Sequence, residues 1–159
     1  MISFSRTMLV GAEFLEKKLL RLHGILEDPI YGMEVQMDIS LPEGVISAIQ
    51  GWMKRYTTPV CPRAVEVLQN AVGISLREEG WISRVNREIG RKGCTHFAEI
   101  LIECGRCLDQ ARMAHALEES FKVEPYVSPE QFTRSWVESH PEVQGSCLAR
   151  PKGKMGHAD

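Results

Sequence analysis

Apolar and polar residues alternate along three stretches in the first third of the chain. Residues 19–27 place Leu20, Leu22 and Leu26 on one face, and Asp28-Pro29 then breaks the run. Residues 33–39 set Met33, Val35, Met37 and Ile39 against Glu34, Gln36 and Asp38, the period-two pattern of a half-buried strand. Leu41-Pro42-Glu43-Gly44 supplies turn residues. Residues 45–53 then read as a third strand, with Ile46, Ala48 and Trp52 opposite Val45, Ser47 and Ile49. Three sequential strands joined by short turns predict an antiparallel meander. Residues 8–18 fit either an edge strand or a helix.

The period then changes from two to that of a helix. Pro62 suits a first helical position, because its missing N–H has no partner there anyway. Ala64, Val65, Leu68, Ala71 and Val72 follow as an apolar stripe that Gly73 ends. Trp81, Ile82, Val85 and Ile89 form a second stripe, stopped by Gly90. Phe97, Leu101, Cys104, Leu108 and Ala111 share one face of a long helix expected from Thr95 to about Ser120. Ser128-Pro129-Glu130 reads as the start of a short last helix carrying Phe132, Trp136 and Val137. Periodicity is lost from His140. The expectation is one α+β domain over residues 1–139, a three-stranded antiparallel meander followed by helices packed on one face, and a mobile tail over 140–159.

Composition narrows the function classes. With 159 residues and 43% hydrophobic content the chain can bury one ordinary core. A net charge of −2 argues against a nucleic-acid or anionic-membrane surface. No apolar run approaches the roughly 20 residues of a membrane span. The first residues do not read as an export signal, and five cysteines are an odd number for a disulfide framework. The expectation is a cytoplasmic protein with free or ligating thiols and a protein partner.

Two cysteines stand where helices are expected to open. Cys61 lies in Thr-Pro-Val-Cys-Pro-Arg and Cys94 in Lys-Gly-Cys-Thr-His. A helix N-terminus carries unpaired N–H groups and the positive dipole end, which favour a thiolate; Arg63 adds charge beside Cys61. Cys94 and His96 together offer two metal ligands, or a thiol with a base. A small buried residue is the plain alternative for each cysteine. Cys104 and Cys107 form a Cys-x-x-Cys pattern inside the long helix, where Cys104 falls on the apolar stripe and reads as core. His96, Glu99, Glu103 and Cys107 share another sector, which suits a metal or a solvated face equally. The phosphate-loop, nucleophile-elbow and zinc-protease motifs are missing.

Tyr31 to Ile39, Pro59-Val60-Cys61-Pro62, Gly80-Trp81 and Gly93 to Leu101 together resemble the bacterial proteins grouped as domain-of-unknown-function family 2889. The resemblance covers roughly residues 6–117. It implies no activity and marks Cys61, Cys94 and His96 for testing. The order of strands, cysteines and helices also resembles the iron–sulfur cluster assembly scaffolds. That likeness implies Cys61 and Cys94 as two ligands and His96 as a third, holding zinc or an iron–sulfur cluster, with Asp28, Glu34 or water as a fourth. The scaffolds' first cysteine has no counterpart in Asp28-Pro29-Ile30-Tyr31-Gly32. The expected function is therefore an accessory protein binding a metal or cluster. The alternatives are an enzyme with a cysteine nucleophile and His96 as base, and a non-catalytic interaction module using the Phe132–Trp136 helix or the tail.

Overall fold

The computed structural model describes residues 3–123, 127–147 and 150. The chain forms two compact units that divide between Leu108 and Asp109.

The first unit is α+β, built on a four-stranded antiparallel sheet in the order β1-β2-β3-β4. The strands are β1 (Thr7–Glu16), β2 (Leu19–Glu27), β3 (Gly32–Ser40) and β4 (Val45–Arg55). The three expected strands are joined by a fourth at the N-terminal edge. Residues 8–18 left strand and helix open because only one side of β1 has a partner, and its exposed face carries little apolar pattern. Leu20, Leu22 and Leu26 of β2 and Met33, Val35, Met37 and Ile39 of β3 are fully or almost fully buried. The opposite face carries Arg21, bonded through Nε and Nη2 to Asp38 at 2.7 and 2.9 Å, and His23 beside Glu34.

Simple alternation fails in β4. Ile39 pairs with Ile46, whereas Asp38 pairs with Ala48, so Ser47 is an extra residue bulging from the ladder. Beyond the bulge the faces exchange. Ile46 and Ile49 both point into the core, and Ala48 and Trp52 are exposed.

Helices cover the apolar face. A 3-10 turn, Cys61–Arg63, leads into α1 (Ala64–Val67) and a second 3-10 turn, Leu68–Ala71. Next come α2 (Trp81–Val85), a π-helical turn at Asn86–Gly90, and α3 (Thr95–Arg106). Phe97, Ala98, Ile100, Leu101, Ile102 and Cys104 of α3 are buried. Gly24 of β2 lets α3 approach closely, since a Cβ there would stand 2.7 Å from Cys104 Sγ. Cys104 is thus core, as the apolar stripe predicts.

The expected long helix is two. α3 stops at Arg106, Cys107 ends it with φ −81° and ψ −7°, and α4 (Leu108–Ser120) begins anew. Gly105 lies in the last turn of α3, where a Cβ would meet the Trp81 ring at 2.5 Å. A glycine at that point admits the indole and weakens helical continuity.

The second unit contains most of α4 and α5 (Pro129–Ser139). The Ser128 hydroxyl accepts the Gln131 N–H, and the Gln131 side chain accepts the Ser128 N–H, a complete capping box. Trp136 stacks on His140 with ring centroids 3.8 Å apart. Pro141–Val143 forms a 3-10 turn within the expected tail; residues 148–149 and 151–159 of that tail lie outside the described residues. Among the described residues no helix is long and apolar enough to cross a membrane.

Candidate functional site

Three chain segments meet at one end of the sheet. The first is the turn between β2 and β3. Buried Asp28 accepts the N–H groups of Ile30 and Tyr31, both at 2.7 Å, and the Arg6 guanidinium at 2.8 Å. Burial alone would raise its carboxyl pKa; those three partners outweigh burial and hold it below the ordinary value. The turn fixes Tyr31. Arg55, at the end of β4, donates to the carbonyls of Asp28 and Tyr31 and ties the second segment to the first.

That second segment leaves β4 and reaches Cys61 through Thr57 and Thr58. The Cys61 N–H donates to the Thr58 carbonyl at 3.0 Å, and the chain folds back on itself. The Thr58 hydroxyl then lies 3.2 Å from Cys61 Sγ and the Thr57 hydroxyl 3.7 Å. Those contacts lower the thiol from its ordinary 9.0 to about 7, the Thr58 hydroxyl first, then the Thr58 backbone N–H and the Thr57 hydroxyl. A hydroxyl that donates to sulfur stabilises the thiolate over the thiol.

The source differs from the one expected. Cys61 opens a three-residue 3-10 turn, and Val60 before it is already helical in φ and ψ. The activation comes from two threonines, not from a long helix end or from Arg63.

The third segment is the approach to α3. In the π-helical turn the Ile89 carbonyl accepts both the Gly93 N–H at 2.9 Å and the Cys94 N–H at 3.0 Å. Gly93 lies against Val67, where a Cβ would come within 2.9 Å of the valine Cβ. Cys94 is the N-cap of α3 in extended conformation, and its side chain makes no capping bond. The sulfur is therefore left to the site. His96 Nδ1 lies 3.8 Å from Cys94 Sγ, and the His96 ring packs on Tyr31 with centroids 4.1 Å apart.

Cys61 and Cys94 line the same open cavity, of about 460 Å³, together with Thr58, Arg63, Glu66 and Lys92. A second connection joins the two cysteines. From Cys94 the contacts pass to His96, to Tyr31, across 3.5 Å from the Tyr31 hydroxyl to Thr57, and so to Cys61. Two cysteines 33 positions apart in the sequence thus share one cavity and one line of side chains.

Of the three expected site residues, Cys61 and Cys94 lie on the cavity wall and His96 lies beside Cys94. Their arrangement is not a metal cage. Among the described residues no three histidine, cysteine, aspartate or glutamate side chains are grouped to hold one ion. Asp28 is taken by Arg6 and its own turn, and Glu34 by Lys54 and His23. The polar sector of α3 is also occupied, Glu99 by Arg6 and Glu103 by Arg106. Burial pushes the Cys104 thiol up to about 12 and raises Cys107 as well, so neither is a ready thiolate.

Thr57, Thr58, Tyr31 and Lys92 escaped the reading of the sequence. A usable signal existed for the threonines: a hydroxyl residue three positions before a cysteine, followed by proline, can turn back onto the thiol. Tyr31 meets His96 only through the tertiary fold.

The family model described as "Protein of unknown function (DUF2889)" matches residues 16–110, and the chain belongs to that family. No curated protein and no solved structure matches it.

Proposed function

We propose, taking membership of this family as the premise, that the cavity between Cys61 and Cys94 is a thiol-dependent reaction site with Cys61 as its nucleophile. The observation that carries the reading is the Thr58 hydroxyl 3.2 Å from Cys61 Sγ, at the wall of a cavity large enough for a small molecule. A thiol near pKa 7 has a large thiolate fraction at neutral pH without being stabilised into inertness. Arg63 and Lys92 line the same cavity and favour an anionic substrate. The 3.8 Å contact between His96 Nδ1 and Cys94 Sγ supports His96 as a base for that second thiol. All five cysteines are free, in keeping with a cytoplasmic setting that keeps thiols reduced.

A second reading keeps Cys61, Cys94 and His96 as ligands for zinc or an iron–sulfur cluster. The shared cavity of the two thiols favours it, and the missing third and fourth partners oppose it.

One experiment separates the two. Iodoacetamide labelling of the purified protein is followed by peptide mass spectrometry from pH 5 to 10, beside metal and acid-labile sulfide analysis of anaerobically purified protein. The thiol reading expects Cys61 to label first, with a midpoint near 7 and no stoichiometric metal. Metal that is lost in both Cys61→Ser and Cys94→Ser, with Cys61 protected until it is removed, would replace that reading by the ligand one.

A further inference from the structure

The cavity holds two thiols, and a nucleophile of ordinary acyl or alkyl chemistry needs only one. We infer that the pair acts on small anionic disulfides, Cys61 attacking the substrate and Cys94 resolving the mixed disulfide. The inference rests on Cys61 being the nucleophile.

Three features of the site lead there. First, the thiols come from separate segments and face one cavity, so a group bound to Cys61 lies in the space that Cys94 also lines. Second, the two thiols differ in their surroundings. Cys61 is served by the Thr58 and Thr57 hydroxyls, and Cys94 has His96 Nδ1 at 3.8 Å. An attacking thiol must already be ionised, whereas a resolving thiol can lose its proton when it is used. Third, the Cys61 segment is exposed and locally folded. Residues 56–60 are all exposed, and the turn itself is held by local bonds, Cys61 N–H to the Thr58 carbonyl and Arg63 N–H to the Val60 carbonyl, both 3.0 Å. A protein disulfide needs its Cα atoms within about 7 Å, so the final step requires the two segments to stand within that range.

The charges select the substrate. Arg63 lines the cavity, and its guanidinium makes no hydrogen bond or ion pair among the described residues. Lys92 lines it too, and shares its charge with Glu88 outside. Glu66 is the opposing carboxylate on the wall. A disulfide that carries carboxylates can bind Arg63 through paired N–H groups, which a neutral one cannot.

The chemistry balances as thiol–disulfide exchange. The Cys61 thiolate attacks one sulfur of R–S–S–R, forming Cys61–S–S–R and releasing R–S⁻. Cys94 gives its proton to His96, and its thiolate attacks the Cys61 sulfur. A Cys61–Cys94 disulfide forms and the second R–S⁻ leaves, taking the proton from His96. The protein dithiol loses two electrons and the substrate gains them. Return to the dithiol takes an external thiol reductant.

Reduced protein, freed of reductant, is mixed with oxidised glutathione at pH 7.5, quenched in acid and mapped by mass spectrometry without reduction. Wild-type protein is expected to yield the Cys61–Cys94 disulfide with two glutathiones released. Cys94→Ser is expected to stop with glutathione held on Cys61, and Arg63→Gln to slow the first step severalfold more with glutathione disulfide than with uncharged hydroxyethyl disulfide. Circular dichroism confirms that each variant is folded. Wild-type protein that holds glutathione on Cys61 as stably as Cys94→Ser does would overturn the dithiol inference and leave the nucleophile reading intact. Cys61 inert to both glutathione disulfide and iodoacetamide would remove both. Equal effects of Arg63→Gln on the two disulfides would remove the anionic selectivity.

Discussion

Replacing Thr58 by valine removes the hydroxyl 3.2 Å from Cys61 Sγ and keeps the β-branched shape of the side chain. That hydroxyl is the foremost cause of the fall of the Cys61 thiol from 9.0 to about 7. At pH 7 a thiol at about 7 is about half ionised, and one at 9.0 only about 1%. The thiolate fraction therefore gains about 50-fold. Intrinsic nucleophilicity falls with basicity, at a Brønsted slope of about 0.4–0.5, so the same two-unit drop costs each thiolate about six- to tenfold. The net advantage at pH 7 is roughly five- to eightfold, and above about pH 8 the order reverses. Thr58→Val is expected to move the labelling midpoint of Cys61 upward toward 9.0, to lower its iodoacetamide rate at pH 7 by a few-fold, and to raise it at pH 10. Stopped alkylation with peptide mass spectrometry reads all three. A midpoint unchanged in the variant, or already near 9.0 in the wild type, would refute the assignment of the activation to the threonine turn.

Other parts of the structure make independent predictions. Cys104, with its thiol near 12 and its side chain fully buried, is expected to escape labelling at pH 9 in the folded protein and to label once urea unfolds it; labelling in step with Cys61 would contradict its place in the core. Gly93→Ala forces a Cβ toward Val67 and is expected to cost about 1–3 kcal/mol in urea denaturation, and to slow formation of the Cys61–Cys94 disulfide; unchanged stability would mean that the two segments are not in close contact. Asp28 has a lower pKa folded than its ordinary 3.8, so it stabilises the fold above that pH and loses the contribution as pH falls through the folded value. Asp28→Asn is expected to lower the Tm by several degrees at pH 7 and by progressively less below about pH 3.8; a gap that stays constant in acid would show that the carboxylate charge is not what matters.

The sequence was most legible where local period and burial coincide. In β2 and β3 every second residue is buried, and alternation alone finds both strands and their inner faces. The β4 bulge at Ser47 was not legible, because the exchange of faces depends on pairing with Asp38 and Ile39 and not on β4's own pattern. The division after Arg106 was hidden too. The apolar stripe continues through Leu108, and only the Trp81 ring against Gly105 reveals the crowding at that turn. At the site, Cys61, Cys94 and His96 could be named from their positions in the chain. Their environment could not, since Thr58 acts through a local turn and Tyr31 through contact with a helix 65 residues later.

The sheet joins nearest neighbours in sequence, so during synthesis each strand can pair as soon as the next one emerges. The threonine turn at Cys61 is just as local and is complete once residue 61 is made. Cys94 and the α3 helix that covers the apolar face arrive only later. A growing chain therefore passes through an interval in which Cys61 already has its threonine contacts and Cys94 is still inside the ribosome. If Cys94 resolves adducts on Cys61 as inferred, an oxidant met in that interval leaves an adduct that persists until α3 leaves the ribosome.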